Sequence, residues 1–385
     1  FMTPLFTEVD MMRNFSILLL ALMLPATGLS SGPDAQTEKL IQDLGLRESS
    51  QPARESARWK KPERIVVLLD ERRKKTRPDA IAWLKEVADG AELIEAESHG
   101  DAAFLLDEAD VYLGICNDLI LDSSDSIRWM QNYTAGVDRC VKSPLISERD
   151  FLLTNMQRIY GPAIAEHVIA MTYMLSRKLH VFHDRQRERK WDRMAVKRTS
   201  MWELQGRTML VVGLGGIGTE VAKRAHGLGM RVIATRNSSR KGPKYVDYVG
   251  LSDELHKLAA EADVVVNSTP LTPATTGMFD RKFFAAIKPG AYFINVGRGK
   301  SVVTGDLVEA LNSGTIGGAG LDVQDPEPLP LDHPLWTARN VIITPHISAS
   351  SDEQMKRFWL LVRENLRRYV NGERMLNVVD IKRGY

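Results

Sequence analysis

The sequence predicts an α/β fold built from two doubly wound parallel sheets, each covered by helices. Short apolar runs of strand length alternate with helical patterns along most of the chain, and such alternation favours parallel strands joined by helical crossovers. A long helical stretch near residue 160 separates two such series. The length of 385 residues fits two domains, since a domain usually takes about 100–200 residues.

Composition narrows the class of protein. The chain has 51 Lys and Arg against 49 Asp and Glu, a net charge of +2, and 44% of its residues are hydrophobic. These values exclude intrinsic disorder, a collagen-like repeat and a multi-span membrane protein. The balanced charge gives no support for nucleic-acid binding by the whole protein. Cys116 and Cys140 can form at most one bridge, and we interpret them as buried or half-buried thiols.

Residues 1–61 are predicted to be a signal-like leader and a linker. Arg13 precedes an apolar run at 15–24, which Pro25 and several small residues follow. This order is typical of a secretory signal peptide, so we expect export to the periplasm or secretion. An uncleaved membrane anchor and a simple N-terminal extension are the alternatives. Residues 31–61 are polar and are interpreted as a linker that contains one candidate helix.

The first series of elements predicts a small α/β domain over residues 62–158. It comprises a buried strand at 64–69, a helical pattern at 80–87 and further strands at 111–115 and 127–131. Strands that alternate with helices in this way imply a parallel sheet covered on both faces.

A helical stretch from about 161 to 187 follows the first domain. Its second half and the residues after it, 177–198, hold nine Lys or Arg against three acids. One interpretation is a nucleic-acid patch. We favour a solvated helix and arm, since charge runs are common on exposed helices. The apolar residues of this stretch would then dock it on the body of the protein; they are Leu179, Val181, Phe182 and Trp191.

The second series of elements begins at residue 208 and predicts a complete doubly wound domain. A strand at 209–212 leads through a glycine-rich turn into a helix that ends near residue 229. The later strands are predicted at 230–235, 263–267, 291–296, 316–321 and 341–344.

The glycine-rich turn has the pattern GxGxxG between a strand and a helix, and this context predicts a dinucleotide site. Gly213 permits the tight turn, Gly215 lets the backbone approach a pyrophosphate, and Gly218 lets the helix pack closely on the strand. Gly216 and Ile217 open the helix, whose exposed N–H groups and positive end favour an anion.

The residues after the second strand predict the choice of cofactor. A site for NAD places an Asp or Glu there, which accepts a hydrogen bond from the ribose 2′-hydroxyl. This chain instead has Arg236 and Asn237, followed by Arg240 and Lys241. Since guanidinium groups bind phosphate in a bidentate manner, we predict NADP(H) in preference to NAD(H).

Three residues of different chemistry follow later strands of the second domain: Arg298, Glu327 and His346. In an open parallel sheet the carboxyl ends of the strands line the ligand crevice. Arg298 would bind and polarise a 2-oxo acid, and His346 would transfer a proton at the C2 oxygen. Glu327 would orient the imidazole and hold its imidazolium form. The eight histidines show no metal-ligand spacing, so we predict no metal.

These segments, in this order, resemble the D-isomer-specific 2-hydroxyacid dehydrogenases over about residues 64–380. The motifs that carry the resemblance are the glycine-rich turn, VVNSTPLTPATTGMF, NVGRG, GLDVQDPEPLP and NVIITPHIS. The resemblance implies that the catalytic Arg, Glu and His of the family fall on Arg298, Glu327 and His346.

Further site residues are implied by the same resemblance. A substrate-carboxylate loop would lie at 132–138, where the backbone N–H groups near Ala135 and Gly136 would grip the carboxylate. Asp322 would hold the carboxamide of the nicotinamide. The loop beside the cofactor ribose and phosphate would include Thr269, Pro270 and Thr272.

The resemblance also implies a domain arrangement. A flavodoxin-like catalytic domain would comprise residues 62–158 and 348–385, and a Rossmann coenzyme domain at 159–347 would be inserted into it. Family members usually dimerise through the coenzyme domains, so we expect a homodimer. The implied partner is a small 2-oxo or 2-hydroxy acid, with no nucleic acid and no stable membrane partner. Arg236 is typical of NADPH-dependent glyoxylate/hydroxypyruvate reductases, which favours glyoxylate or hydroxypyruvate as substrate.

Two alternative functions stay open at this point. A formate dehydrogenase-like enzyme of the same fold pairs its catalytic His with Gln, whereas Glu327 favours hydroxy-acid chemistry. A non-catalytic, dinucleotide-sensing protein similar to the corepressors of this fold could retain the same three polar residues. The compartment is open as well, because a signal-like leader predicts export and an NADP(H) requirement favours the cytoplasm.

Overall fold

Two separate parallel sheets covered by helices confirm the predicted fold class. The computed structural model describes residues 32–147 and 151–384, so the predicted signal peptide lies outside the described residues. The strands are β1 (Glu48–Pro52), β2 (Arg64–Leu68), β3 (Glu92–Ala96), β4 (Val111–Gly114), β5 (Trp129–Asn132), β6 (Leu152–Thr154), β7 (Thr208–Val212), β8 (Arg231–Thr235), β9 (Tyr248–Gly250), β10 (Val264–Asn267), β11 (Tyr292–Asn295), β12 (Gly318–Leu321), β13 (Val341–Ile343) and β14 (Arg374–Leu376). The helices are α1 (Ala35–Leu44), α2 (Glu71–Thr76), α3 (Ala80–Lys85), α4 (His99–Leu105), α5 (Asp118–Ser123), α6 (Asp138–Val141), α7 (Pro144–Ser147), α8 (Gly161–Ser176), α9 (Leu179–Arg187), α10 (Gly216–Gly227), α11 (Leu255–Ala259), α12 (Arg281–Ala286), α13 (Thr304–Ser313) and α14 (Gln354–Val370). Within those described ranges, no helix has both the length and the apolar character needed to cross a membrane.

The first sheet has the strand order β3-β2-β4-β5-β6, and all of its neighbouring strands are parallel. This is the order of flavodoxin-like sheets. The apolar strand β2 is buried, as its sequence predicts. Helix α14 returns to this sheet from the far end of the chain, so that Phe358 and Leu361 share a core with Val66 and Tyr112.

The second sheet has the strand order β13-β12-β11-β10-β7-β8-β9 and is also parallel throughout. This is the Rossmann order with one further strand at the edge. Helices α8 and α10 cover one face, where Val168 and Ala222 share a core. Helices α11, α12 and α13 cover the other face through residues such as Phe283 and Leu311. The strand order reverses between β7 and β10, which is where such sheets bind ligands.

The prediction of a linker at 31–61 is wrong for its described part. Asp34 caps α1 by accepting a hydrogen bond from the Thr37 N–H at 2.8 Å, and Gly45 ends the helix at a φ of 58°. Strand β1 then pairs antiparallel with β14, and Leu40 and Leu46 are buried in the core of the first sheet. The strand was missed because it has no alternation of apolar and polar residues and its partner lies at the other end of the chain.

The predicted single helix over 161–187 is divided into α8 and α9. Lys178 adopts a φ of 57°, which a right-handed helix cannot include. Its ammonium group is buried and donates a hydrogen bond to the Tyr292 hydroxyl at 3.2 Å. The expectation that Trp191 docks the basic arm on the body is wrong as well, because its side chain is 92% exposed.

The interpretation of the cysteines as free thiols is also corrected. Cys116, after β4, and Cys140, in α6, form a disulfide with their Cα atoms 5.4 Å apart. Parallel pairing of β4 with β5 brings the two segments that follow these strands together. The sequence alone gave no signal for that approach, since it depends on the order of strands in the sheet.

Candidate active site

A cleft of about 370 Å³ lies at the carboxyl ends of strands from both sheets. Its walls combine the glycine-rich turn, the segments after β8, β10 and β11, and the loop after β5. Two parallel sheets that direct their strand ends to one space form the kind of crevice that binds ligands in α/β proteins. Most of the residues selected from the sequence line this cleft; they are Ala135, Gly136, Gly213, Gly215, Gly216, Ile217, Arg236, Asn237, Thr269, Pro270, Thr272 and Arg298.

The glycine-rich turn has the geometry of a cradle for an anion. Gly213 ends β7 at a φ of 95°, and Gly215 is the N-cap of α10. A Cβ atom at Gly218 would lie 2.2 Å from the Gly213 carbonyl oxygen, so only glycine permits this packing. The first N–H groups of a helix lack partners within the helix and are available to a ligand. The turn therefore fits a dinucleotide pyrophosphate.

The loop after β8 places its two arginines differently. Arg236 lines the cleft and donates a hydrogen bond to the Lys241 carbonyl at 2.8 Å. The guanidinium of Arg240 instead forms an ion pair with Glu254 at 2.6 Å and donates to the Tyr248 hydroxyl at 3.0 Å. The sequence predicts that Arg240 contributes to the phosphate site. In the structure its guanidinium is paired with the carboxylate of Glu254, which competes with a phosphate for it.

The segment after β10 lines the cleft beside the glycine-rich turn. The Thr269 N–H and hydroxyl both donate to the Asn267 side-chain oxygen, at 3.0 and 2.7 Å. The Thr272 N–H donates to the Thr275 hydroxyl at 2.8 Å. These bonds fix the backbone of a loop that lies directly against the glycine-rich turn, since a Cβ atom at Gly213 would be 3.1 Å from Thr269 Cγ2.

His346 and Glu327 form a hydrogen-bonded pair. The Nδ1 atom of His346 lies 2.6 Å from Glu327 Oε1, and the side chains are 50% and 36% exposed. Within the described ranges, the cleft lining includes Arg298 but neither member of this pair. The contact fixes one nitrogen of the imidazole and leaves Nε2 for another partner.

Asp322 holds the segment that carries His346. Its side chain is buried and accepts hydrogen bonds from the Thr344 hydroxyl at 2.6 Å and from the N–H groups of Ile347 and Ser348 at 2.9 and 3.1 Å. Burial acts to raise the pKa of Asp322, but hydrogen bonds from Ser348 and Thr344 outweigh it and lower the pKa below 3.8. The structure thus shows Asp322 positioning the 344–348 segment, a role that the sequence did not reveal.

We expect Asp322→Asn to lower the free energy of unfolding by about 2–4 kcal/mol, because an amide cannot accept from all three donors. The lowered pKa means that the carboxylate stabilises the fold fully above pH 3.8 and that this stabilisation is lost as the pH falls through the folded-state pKa. Urea unfolding at neutral pH measures the difference, which should shrink in acid. Exposed Asp332→Asn is the matched control, and equal stability of both variants at neutral pH would contradict the expectation.

Arg298 joins the two halves of the cleft. Its Nε and Nη2 atoms donate to Asp138 Oδ1 at 3.1 and 3.0 Å, and its Nη1 donates to the Gly297 carbonyl at 2.8 Å. A Cβ atom at Gly136 would lie 1.6 Å from Arg298 Nη2, so the guanidinium lies directly against the predicted carboxylate loop. Asp138 stood in that loop without an assigned role in the sequence, and the structure identifies it as the partner of Arg298.

The side chain of Asn132 holds the predicted carboxylate loop at 132–138 through hydrogen bonds. Its side-chain NH₂ group donates to the Thr134 hydroxyl at 2.8 Å and to the Gly136 carbonyl at 3.3 Å. The Asn155 amide donates to the Ala135 carbonyl at 2.8 Å. Because the Ala135 and Gly136 carbonyls accept these hydrogen bonds, the backbone of both residues is fixed next to Arg298.

In the part of the chain that the structure describes, no group of three or more His, Cys, Asp or Glu is arranged to hold a metal ion.

Comparisons with known proteins identify relatives of this chain. Residues 169–348 match the family model of the D-isomer specific 2-hydroxyacid dehydrogenase NAD binding domain. A glyoxylate reductase of Korarchaeum cryptofilum is 32% identical over 266 residues, which cover 68% of this chain and 78% of the relative. A mouse glyoxylate reductase/hydroxypyruvate reductase is 31% identical over 72% of this chain and 83% of its own length.

Solved structures are similar to this chain over most of its length. A D-isomer specific 2-hydroxyacid dehydrogenase from Xanthobacter autotrophicus Py2, solved with NADPH and MES, is 28% identical with a TM-score of 0.71. That match covers 84% of this chain and all of the other one. An NADPH-dependent glyoxylate/hydroxypyruvate reductase from Sinorhizobium meliloti, solved with NADP and sulfate, is 25% identical with a TM-score of 0.69 and matches 84% of this chain and all of its own.

Proposed function

Because the chain belongs to the D-isomer-specific 2-hydroxyacid dehydrogenase family, we propose that it is an NADP(H)-dependent reductase of short 2-oxo acids such as glyoxylate or hydroxypyruvate. The observation that carries the proposal is the hydrogen-bonded pair of His346 and Glu327, placed after β13 and β12 of the sheet that carries the dinucleotide turn. Arg298 follows β11 of the same sheet and supplies the cation for a substrate carboxylate.

The roles of the residues follow from their contacts. When bound, the nicotinamide supplies the hydride that adds to C2 of the oxo acid. Arg298 binds and polarises the substrate through the two donors that Asp138 now holds. His346 donates a proton from Nε2 to the C2 oxygen, and Glu327 fixes the imidazole through Nδ1. The backbone of Ala135 and Gly136 orients the carboxylate of the substrate.

Arg236 supports the preference for NADP(H), because it stands where an NAD site needs an acid. We expect Arg236→Gln to lower kcat/KM for NADPH by about tenfold to a hundredfold, the loss of a charged hydrogen bond to phosphate. The value for NADH should change little. Arg231→Gln is the control, since Arg231 begins the same strand and pairs with Glu261 at 3.0 Å on the surface. Equal losses with both cofactors, measured by steady-state kinetics, would contradict the assignment.

A coupled assay with NADPH tests the reaction itself. Glyoxylate, hydroxypyruvate, pyruvate and bulkier 2-oxo acids should be compared at saturating NADPH, and the short acids should give the highest kcat/KM. Formate with NADP⁺ is the test of the formate dehydrogenase alternative, which the Glu327–His346 pair disfavours. Dinucleotide binding with no turnover of any 2-oxo acid would instead favour a sensor.

We also propose that the protein is a homodimer. The exposed arm after α9 presents Trp191 and Met194, with side chains that are 92% and 78% exposed. These two apolar side chains, three residues apart on one arm, are the surface that we propose the partner subunit covers. Light scattering on the purified protein gives the mass in solution, and a monomer would refute this proposal without affecting the proposed reaction.

A further inference from the structure

Three arginines from distant parts of the chain line the same cleft. Arg236 follows β8, Arg158 lies between β6 and α8, and Arg47 lies between α1 and β1. Arg158 donates to the Leu44 carbonyl at 3.1 Å, and Arg236 donates to a carbonyl of its own loop. In the described ranges, none of these three guanidinium groups forms an ion pair with a carboxylate. The cleft therefore contains a cluster of positive charge that the protein itself does not neutralise.

The three charges act on one another. Burial lowers the pKa of Arg158, and the charges of Arg47 and Arg236 lower it further. Burial also lowers the pKa of Arg236, and there the added charge is that of Arg47. Glu220 partly offsets the effect at Arg158, but its carboxylate is paired with Arg224 at 2.5 Å. Like charges that face one another in a cleft are a ready site for an anion.

Arg158 provides independent evidence for a ligand. Its Nε atom is buried and has no hydrogen-bond partner within the described residues. A buried donor without an acceptor is unfavourable, so this Nε is available to a ligand or a water molecule in the cleft. The side chain of Arg158 also lies against the first turn of α10, since a Cβ atom at Gly216 would be 2.7 Å from its Cγ. The unused donor is therefore next to the dinucleotide turn.

Arg47 reaches the cleft because the segment that contains it and β1 is bound to the segment that contains β14 and Asn377. The Asn377 N–H donates to the Arg47 carbonyl at 2.8 Å, and β1 pairs with β14 directly after this contact. The Asn377 side chain donates to the Gln157 carbonyl at 2.8 Å, next to Arg158 in the chain. Since the hydrogen bond from Asn377 to Arg47 uses the backbone carbonyl of Arg47, its guanidinium can be replaced without removing the anchor.

We propose that Arg47 is a specificity-determining residue for NADP(H) and that it surrounds the 2′-phosphate of the adenosine ribose together with Arg158 and Arg236. This inference rests on the proposed NADP(H) preference. Arg236 stands at the position that reads the 2′ substituent, and Arg47 lines the same cleft and is the charged residue that acts on Arg236. A phosphate dianion between these guanidinium groups replaces repulsion with charge-assisted hydrogen bonds. The segment before β2 is thereby part of the cofactor site.

Binding of two nucleotides to the full chain tests the proposal without turnover. Calorimetry should compare 2′,5′-ADP, which carries the 2′-phosphate, with 5′-ADP, which lacks it. We expect Arg47→Gln to weaken 2′,5′-ADP by about tenfold to a hundredfold and to leave 5′-ADP nearly unchanged. Arg54→Gln is the matched control, because Arg54 is an exposed residue of the same segment. Arg47→Lys keeps the charge and should retain most of the discrimination.

Each of the other outcomes has a distinct meaning. Equal weakening of both nucleotides by Arg47→Gln would assign Arg47 to the pyrophosphate and overturn the proposal, as would no change with either. An Arg47→Lys variant that loses as much discrimination as Arg47→Gln would also overturn it. If the wild-type protein binds both nucleotides equally, the proposed NADP(H) preference itself fails. The melting temperature of ligand-free Arg47→Gln should not fall, because the substitution relieves repulsion among like charges.

Discussion

His346→Ala is expected to lower kcat for reduction of a 2-oxo acid by about 10²- to 10⁴-fold, the usual contribution of a positioned general acid. The imidazole is the group that the structure offers for proton transfer, since Glu327 engages Nδ1 at 2.6 Å and leaves Nε2 for the substrate. Stopped-flow or steady-state measurement of NADPH oxidation gives the rate. Glu327→Gln should fall between the wild type and His346→Ala, because glutamine keeps an acceptor for Nδ1–H but removes the charge.

Two controls separate this effect from unfolding or loss of cofactor. His183→Ala changes an exposed histidine of α9 and should keep full turnover. His346→Ala itself should bind NADPH as the wild type does, because the histidine follows β13 whereas the dinucleotide turn follows β7. A His346→Ala enzyme with undiminished kcat would refute the assigned role.

Arg298→Ala is expected to lower kcat/KM for the oxo acid by about 10²- to 10³-fold, as expected for loss of a close charge pair with a carboxylate. Most of the change should appear in KM, because the role proposed for Arg298 is to bind the substrate carboxylate before the reaction. Removal of the guanidinium also leaves Asp138 without its partner at 3.0 Å. Arg298→Lys should recover only part of the loss, since an ammonium group cannot donate two parallel hydrogen bonds.

The matched control for this series is Arg281→Ala. Arg281 is an exposed arginine that pairs with Glu309 on the surface of the same sheet domain. Its loss should leave KM for the oxo acid unchanged. If Arg298→Ala and Arg281→Ala have the same kinetic constants, Arg298 does not bind the substrate.

Local signals explain which features the sequence could predict. The glycine-rich turn joins a strand to a helix within a few residues. All the residues that form this dinucleotide site are therefore close together in the sequence, where the pattern can be recognised. Arg298, Glu327 and His346 each follow a strand, and parallel strands bring their carboxyl ends to one edge. The fold class and the candidate site could therefore be predicted from patterns that need no knowledge of distant contacts.

The missed features depend on contacts between distant segments. Strand β1 pairs with β14, and the Arg47 carbonyl accepts from the Asn377 N–H, a contact that no local pattern announces. The donors to Asp322 come from Thr344, Ile347 and Ser348, in the segment that follows the neighbouring strand β13. In each case the residue type was visible, but its partner was set by the order of strands in the sheet.

The disulfide gives the carboxylate loop a dependence on its redox surroundings. Cys116 and Cys140 lie on either side of the 132–138 loop, and the Cys116 N–H donates to the Asn132 side chain that holds this loop at 3.0 Å. A cross-link over 24 residues stabilises a fold by about 3 kcal/mol in the chain-entropy model. With the disulfide formed, the chain on both sides of the 132–138 loop is therefore held by a covalent bond as well as by hydrogen bonds. In a reducing medium we expect the same loop to keep only its hydrogen bonds, and ordering it would then become part of the free energy of the proposed substrate binding.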